Sequence, residues 1–293
     1  MAVPAILAFD RGPSRRGSWR RSHVILVVVL AIGGFITVFP LLWMVGTSLK
    51  ALPDTRSFPP VWIPWPLHWE NYRDAFEMQP FARYMANSLI ISAAVVIGEL
   101  LSGSFIAYGF ARLRFPGRDF LFMLLVSTMM VPFIVRLVPL FLIFKELNWI
   151  NTWLPLIVPS FFGTPFFIFL MRQFFLTIPS ELREAALLDG ATEIGVWWRI
   201  YLPLSGPGLA VVAVMAFQLT WHDFLPPLIF LNDQEKFTAA LGLVHMLSPS
   251  GGSTEFWNLL MVFAVVMVLP MLIMFAAAQK YIIKGVTLTG IKG

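Results

Sequence analysis

The chain has 293 residues, of which 58% are hydrophobic and only 13% charged, a balance that excludes a water-soluble fold and marks an integral membrane protein. It contains no cysteine, so disulfides, thiolate metal sites and cysteine nucleophiles are excluded, and His23, His68, His222 and His245 lack metal-ligand spacing. The net charge of +5 would suit a nucleic-acid partner, but its distribution along the chain argues otherwise.

Six segments are apolar for the roughly 20 helical residues that cross about 30 Å of hydrocarbon. They cover residues 24–49, 84–111, 120–144, 152–171, 206–231 and 256–281. The expected fold class is an all-α membrane protein with six transmembrane helices spanning residues 23–281. A basic arm, 1–22, precedes them and carries Arg15, Arg16, Arg20 and Arg21. The apolar run after it is too long for a secretion signal and no small-residue cleavage site follows, so it reads as a retained first helix. Residues 50–83 form a connector punctuated by Pro53, Pro59, Pro60, Pro64 and Pro66, which prevent a continuous helix. Within it, residues 69–76 place aromatics on one face and charges on the other, as in a short interfacial helix.

The spans carry features that simple anchors do not need. Pro132 and Pro139 in the third, Pro155, Pro159 and Pro165 in the fourth, and Pro226 and Pro227 in the fifth each remove a backbone donor and bend the helix. Broken helices in a bilayer face protein or a water-filled cavity, so spans three to five are the expected pathway lining. Glu99, Arg136, His222 and Asp223 lie within spans, where an unpaired charge costs about 2.5–3.5 kcal/mol on insertion scales. With Trp221, they are the candidate translocation-pathway residues. At about 1.5 Å per residue, Arg136 and Asp223 lie at similar heights, and they are expected to pair or jointly line a cavity.

Between spans four and five, residues 180–203 form a polar insert that reads as helix, tight turn, helix. Ser180 is the expected N-cap, Glu181 and Glu184 sit near the positive end of the helix dipole, and Gly190 stops the helix in a left-handed conformation. Thr192 and Glu193 then start a second helix, whose Ile194, Trp197, Trp198 and Tyr201 share a bulky face. The first helix has a mostly small face at Leu182, Ala185, Ala186 and Asp189. Residues 232–255 are a polar connector, and residues 282–293 a terminal tail.

Charge sets the topology. With cytoplasmic termini, fourteen Lys and Arg residues fall in inside segments, six fall outside and Arg136 lies within a span. The positive-inside rule therefore puts both termini and the 180–203 loop in the cytoplasm, the 50–83 and 232–255 loops outside, and implies no nucleic acid.

Glu184, Ala185, Ala186, Gly190, Ile200, Leu202 and Pro203 reproduce, at fixed spacings, the EAA…G…I-LP loop of ABC-type importer permeases. The chain resembles that family, and its ENY and NS pairs at 70–72 and 87–88 and its GVTLTGIKG end are similar to the carbohydrate-uptake subgroup of maltose and multiple-sugar type. The resemblance implies a permease subunit of the prokaryotic inner membrane that moves a sugar, oligosaccharide or polyol inward. It implies that the loop is a coupling loop seated on a separate ATPase subunit through Glu181, Leu182, Glu184, Ala185, Ala186, Asp189, Gly190, Ala191, Ile200, Leu202 and Pro203. The implied partners are a second homologous permease, two ATPase subunits holding ATP and Mg, and an external substrate-binding protein. Ser248, Pro249, Ser250, Gly251, Gly252, Ser253 and Thr254 are the candidate contact with that binding protein. The chain itself has no G-x-x-x-x-G-K-[ST] phosphate loop and no nucleophile–base or metal constellation, so it reads as a transport subunit without cofactor or ATPase site of its own. The alternative reading is a proton-coupled secondary transporter using Glu99, Asp223 and His222.

Overall fold

The computed structural model describes residues 16–247 and 256–289, and every regular element among them is helical. Helix α1 (Arg16–Ser48) leads into a proline-rich segment and the short α2 (Glu70–Met78). The second span is α3 (Phe81–Gly98), a π-helical turn (Glu99–Gly103) and α4 (Ser104–Arg112). Then come α5 (Arg118–Ser127) and α6 (Phe133–Glu146), followed by α7 (Leu154–Ile157), a 3-10 turn (Val158–Phe162) and α8 (Pro165–Leu176). The polar insert is α9 (Glu181–Leu188), α10 (Glu193–Val196), a second π-helical turn (Trp197–Tyr201) and α11 (Leu202–Leu204). Helices α12 (Gly206–Trp221), α13 (Leu225–Phe230), α14 (Ala239–Met246) and α15 (Trp257–Thr289) complete the chain.

Four continuous stretches are long and apolar enough to span a membrane, and two further helix pairs qualify if each bent pair is one span. Expected spans one, two, four and six correspond to the four stretches and the third to one bent pair, while the other pair joins Glu193–Leu204 to Gly206–Trp221 at 82° and so takes in the end of the polar insert. The third bends by 101° between α5 and α6. Pro132 is the cause: the residue before a proline is pushed out of the helical region, and Val131 is extended (φ −81°, ψ 112°). The fifth does not run through to residue 231. It stops at Trp221 and restarts at Leu225, because Pro226 and Pro227 cannot donate to carbonyls of the preceding turn and fit only the first turn of a new helix.

Two apolar clusters organise the packing. At the end holding the 50–83 segment, Phe81, Tyr84, Phe237, Leu241 and Phe263 are buried together. At the end holding the 180–203 loop, Tyr108, Phe167, Phe175, Val196, Tyr201 and Val212 form a second cluster. Helix α12 packs on both α3 and α15, and α4 packs on α8. The apolar stretch of α1 has no buried residue, whereas its last turn is buried.

Amide side chains fasten the first end. Asn71 Nδ2 donates to the Ser48 and Lys50 carbonyls, both at 2.9 Å, and its Oδ1 accepts from Asn258. Lys50 is buried with its ammonium 3.9 Å from the Trp43 ring centre, a cation–π contact that offsets part of its desolvation. Asn87 donates to the Glu235 and Phe237 carbonyls, and Ser88 Oγ accepts from the Ala239 amide. Asn151 donates to Asp233 at 2.7 Å, and the contacts of Lys236 and Asn151 hold that carboxyl below its ordinary range. The 232–255 region is therefore not a plain polar connector: α14 within it is largely buried, and a methyl group on Gly242 would lie 2.3 Å from the Tyr84 ring. A helix of eight residues, His245 among them, is far shorter than the roughly 20 a span needs, so its apolar content gives no span signal in the sequence. The 248–254 contact candidate lies outside the described residues.

Candidate functional site: a midchain cavity and a docked loop

A cavity of about 420 Å³ lies between the two clusters and is bounded by the second span, α6, the fourth span around its 3-10 turn and the α12–α13 junction. Glu99, Arg136 and Asp223 all line it. Arg136 and Asp223 line it jointly, the second of the two expected arrangements; among the described residues no ion pair within 4 Å joins them, and the Arg136 guanidinium sits 5.8 Å from the Phe133 ring centre. Arg136 reaches the cavity from α6 and Asp223 from the junction between α12 and α13.

Glu99 is 2% exposed and fully engaged. Its Oε2 accepts from the Thr164 amide at 2.9 Å, and its Oε1 accepts from the Thr164 hydroxyl. Thr164 is the residue on which α8 begins, just after the backbone turns through Gly163 at φ +78°. A carboxylate from the second span thereby caps a half-helix of the fourth, favoured by the partial positive charge at a helix N-terminus. Only glycines allow the approach. A Cβ on Gly163 would stand 3.3 Å from the Gly103 Cα, and one on Gly98 would stand 2.5 Å from Ser160 Oγ.

Trp221 and His222 do not line the cavity. Trp221 is wholly buried, stacks on Phe217 and donates from Nε1 to the Met267 carbonyl at 3.0 Å. The exposed His222 meets the Gln218 carbonyl through Nδ1. Among the described residues no direct hydrogen bond joins Glu99, Asp223 and His222, and His222 does not line the cavity that the two carboxyl groups share.

The 180–203 loop is a helical hairpin with one refinement at each end. Gly190 is left-handed (φ +84°), with its own amide bonded to the Leu187 carbonyl and the Ala191 amide to the Ala186 carbonyl, which closes α9 in a Schellman motif. Thr192 caps α10, accepting from the Gly195 amide at 3.1 Å. Ser180 does not cap α9: its backbone is already helical (φ −70°, ψ −25°), so its hydroxyl points away from the first-turn amides. Glu181, Leu182, Glu184, Ala185, Asp189, Gly190, Ala191 and Pro203 are exposed, and Leu188 is 89% exposed. Ala186, Leu187, Ile200 and Leu202 instead pack against the second cluster. The small face of α9 is thus split between partner-accessible and core-facing residues. The bulky face of the second helix is split as well. The π-helical turn widens the repeat, so Trp197 and Tyr201 are buried while Ile194 and Trp198 are exposed.

Contacts of Glu193, named in the sequence only as a helix start, and of Tyr108, Arg183 and Arg112 hold the hairpin to the spans. Glu193 accepts from the Tyr108 hydroxyl at 2.6 Å and from Arg183 Nε at 3.1 Å, joining α4, α9 and α10. Arg112 donates to the Phe175 and Ile178 carbonyls at the end of α8 and lies over the Tyr201 ring. A cation there satisfies terminal carbonyls and complements the helix dipole.

Residues 99–288 match the binding-protein-dependent transport system inner membrane component family. The chain belongs to that family. The arabinooligosaccharides transport system permease protein AraQ of Halalkalibacterium halodurans is 35% identical over 283 residues, covering 94% of this chain and 99% of its own. The sn-glycerol-3-phosphate transport system permease protein UgpE of Yersinia enterocolitica is 32% identical over 280 residues, with 93% and 97% covered. In the solved structure of a bacterial ABC transporter that imports the acidic polysaccharide alginate, one chain superposes with a TM-score of 0.78 at 22% identity, over 93% of this chain and 99% of that one, a likeness of fold. The chain is accordingly a multi-pass permease subunit of an ABC importer, working with an ATPase and a substrate-binding protein.

Proposed function

We propose that this permease moves a carbohydrate or related polyol into the cytoplasm, driven by ATP hydrolysis on a separate subunit that grips the 180–203 loop. The observation that carries the reading is the two-sidedness of α9. Its Leu182, Ala185 and Leu188 side is free, while its Arg183 and Leu187 side is tied through Glu193, Tyr108 and the second cluster to spans two and four. A force on the free side is passed to the walls of the cavity instead of being lost in a flexible loop.

In this reading both termini and the loop are cytoplasmic, on the evidence of cation placement, and residues 1–22 and 282–293 flank a 23–281 permease domain. A second homologous permease completes the pathway, and two ATPase subunits supply ATP and Mg. The binding protein meets the opposite face, with residues 248–254 as its contact. The carbohydrate class is drawn from relatives named for sugar and polyol-phosphate transport. Within the cavity, Asp223 offers an acceptor and Arg136 donors on separate walls, which suits a substrate bearing several hydroxyls.

The test is reconstitution in proteoliposomes with and without the co-purifying partners. ATP-dependent, binding-protein-dependent uptake is expected only from the assembly; uptake by this chain alone, driven by a proton gradient, overturns the reading.

A further inference from the structure

We infer that Glu99 and Thr164 form a positioning joint that transmits loop movement to the cavity wall, an inference that rests on the importer reading. Three observations converge on it. First, the contact lies where the two packed clusters meet: above it the second span enters the first cluster through Phe81 and Tyr84, and below it α4 and α8 enter the second through Tyr108 and Phe167. Second, both partners sit at breaks in their helices, Glu99 opening a π-helical turn and Thr164 following the left-handed Gly163. Breaks of this kind are where a helix changes direction without losing its packed halves. Third, glycines close the joint on both sides: a Cβ on Gly98 would lie 2.5 Å from Ser160 Oγ, and Gly163, at φ +78°, passes so near Gly103 that a Cβ would lie 3.3 Å from its Cα.

The physical consequence follows from the hydrogen bonds. The carboxylate that accepts from the Thr164 amide and hydroxyl fixes where α8 begins relative to the second span, and Glu99, at 2% exposure, leaves solvent little room to compete for that contact. Helix α8 ends at Leu176 beside the Arg112 clamp, four residues before the coupling loop. When the loop moves, α8 moves as a rod, and its upper end either drags the cavity wall through Glu99 or slides past it. With the joint intact it drags. The role of Glu99 is therefore to hold geometry, and its charge is not required: a glutamine has one carbonyl oxygen for the Thr164 amide and an amide donor for the Thr164 hydroxyl oxygen.

The experiment uses the assembled importer in proteoliposomes, reading assembly yield, binding-protein-stimulated ATPase activity and substrate taken up per ATP. Glu99→Gln is expected to keep uptake per ATP within about twofold, and Glu99→Ala to lower it about tenfold or more while ATPase activity persists, the scale set by losing a hydrogen-bonded buried partner. Thr164→Ser should retain coupling and Thr164→Val should lower it about threefold or more. If Glu99→Ala does not assemble, the Thr164 pair decides. Normal uptake per ATP in Glu99→Ala or Thr164→Val overturns the joint. So does Glu99→Gln losing coupling as fully as Glu99→Ala, which would assign the role to charge. Failure of ATP dependence in the unaltered assembly would instead overturn the importer reading, so the two failures are separable.

Discussion

Truncation of Glu193 is expected to loosen the coupling hairpin by an amount that can be worked from its contacts. The Arg183–Glu193 pair is partly exposed, with side-chain exposures of 23% and 35%, so its loss costs about 0.5–1 kcal/mol. Losing the Tyr108 bond costs about 1 kcal/mol, and the buried phenolic hydroxyl left without an acceptor costs about 1–3 kcal/mol more. Glu193→Ala should therefore destabilise the docked loop by about 2.5–5 kcal/mol. Tyr108→Phe removes donor and hydroxyl together and leaves Glu193 held by Arg183, so it costs only about 1 kcal/mol. Added to Glu193→Ala, Tyr108→Phe should be neutral or mildly stabilising, since it removes the orphaned group. The double-mutant cycle thus predicts a coupling energy of about 1–3 kcal/mol between residues 85 positions apart. Hydrogen exchange at the 181–200 amides, measured on the assembled complex in detergent, reads the opening free energy directly. Additivity of the two changes within about 0.5 kcal/mol would refute the proposed tie between the hairpin and the second span.

Other substitutions probe single features. Gly190→Ala should cost about 1–2 kcal/mol of loop stability from its left-handed backbone alone, because nothing lies within 4 Å of the added carbon; Gly190→Pro, whose ring cannot adopt φ +84°, should abolish uptake while membrane insertion persists. Gly242→Ala should lower the melting midpoint of the purified complex through an overpacking cost of about 1–3 kcal/mol against Tyr84, whereas Gly109→Ala, a helical glycine with open space around it, should leave it unchanged or raise it. Arg136→Gln and Asp223→Asn should each weaken substrate uptake, and their effects on the KM for uptake should add within about 0.5 kcal/mol, since no ion pair joins them; strong coupling would show that they meet during transport.

Much of this architecture is written locally. A window of about 20 apolar residues is enough to mark a span, a proline is enough to mark a bend, and a glycine at the end of a helical pattern is enough to mark the turn at residue 190. The charge bias needs only a count of Lys and Arg in the connectors. What those signals lack is direction around a helix axis. The 3.6-residue repeat grouped Trp197 with Trp198 and Leu182 with Ala186, but the π-helical turn and the packing of α9 separate each pair. Similarly, Trp221 and Asp223 are near neighbours in sequence, yet the broken end of α12 buries one against α15 and turns the other to the cavity.

The sequence by itself marked the apolar segments, the prolines that interrupt them and the polar helical hairpin at residues 180–203, because each depends on residues within one or two helical turns. Only the tertiary structure decided what the buried polar groups do. Glu99 meets Thr164 across 65 residues, Asn87 meets the Phe237 carbonyl across 150, and Tyr108 meets Glu193 across 85. A buried polar side chain must find a partner, but nothing local says which. That choice is made by the glycines that let two helices approach and by the prolines that open a backbone group to be met.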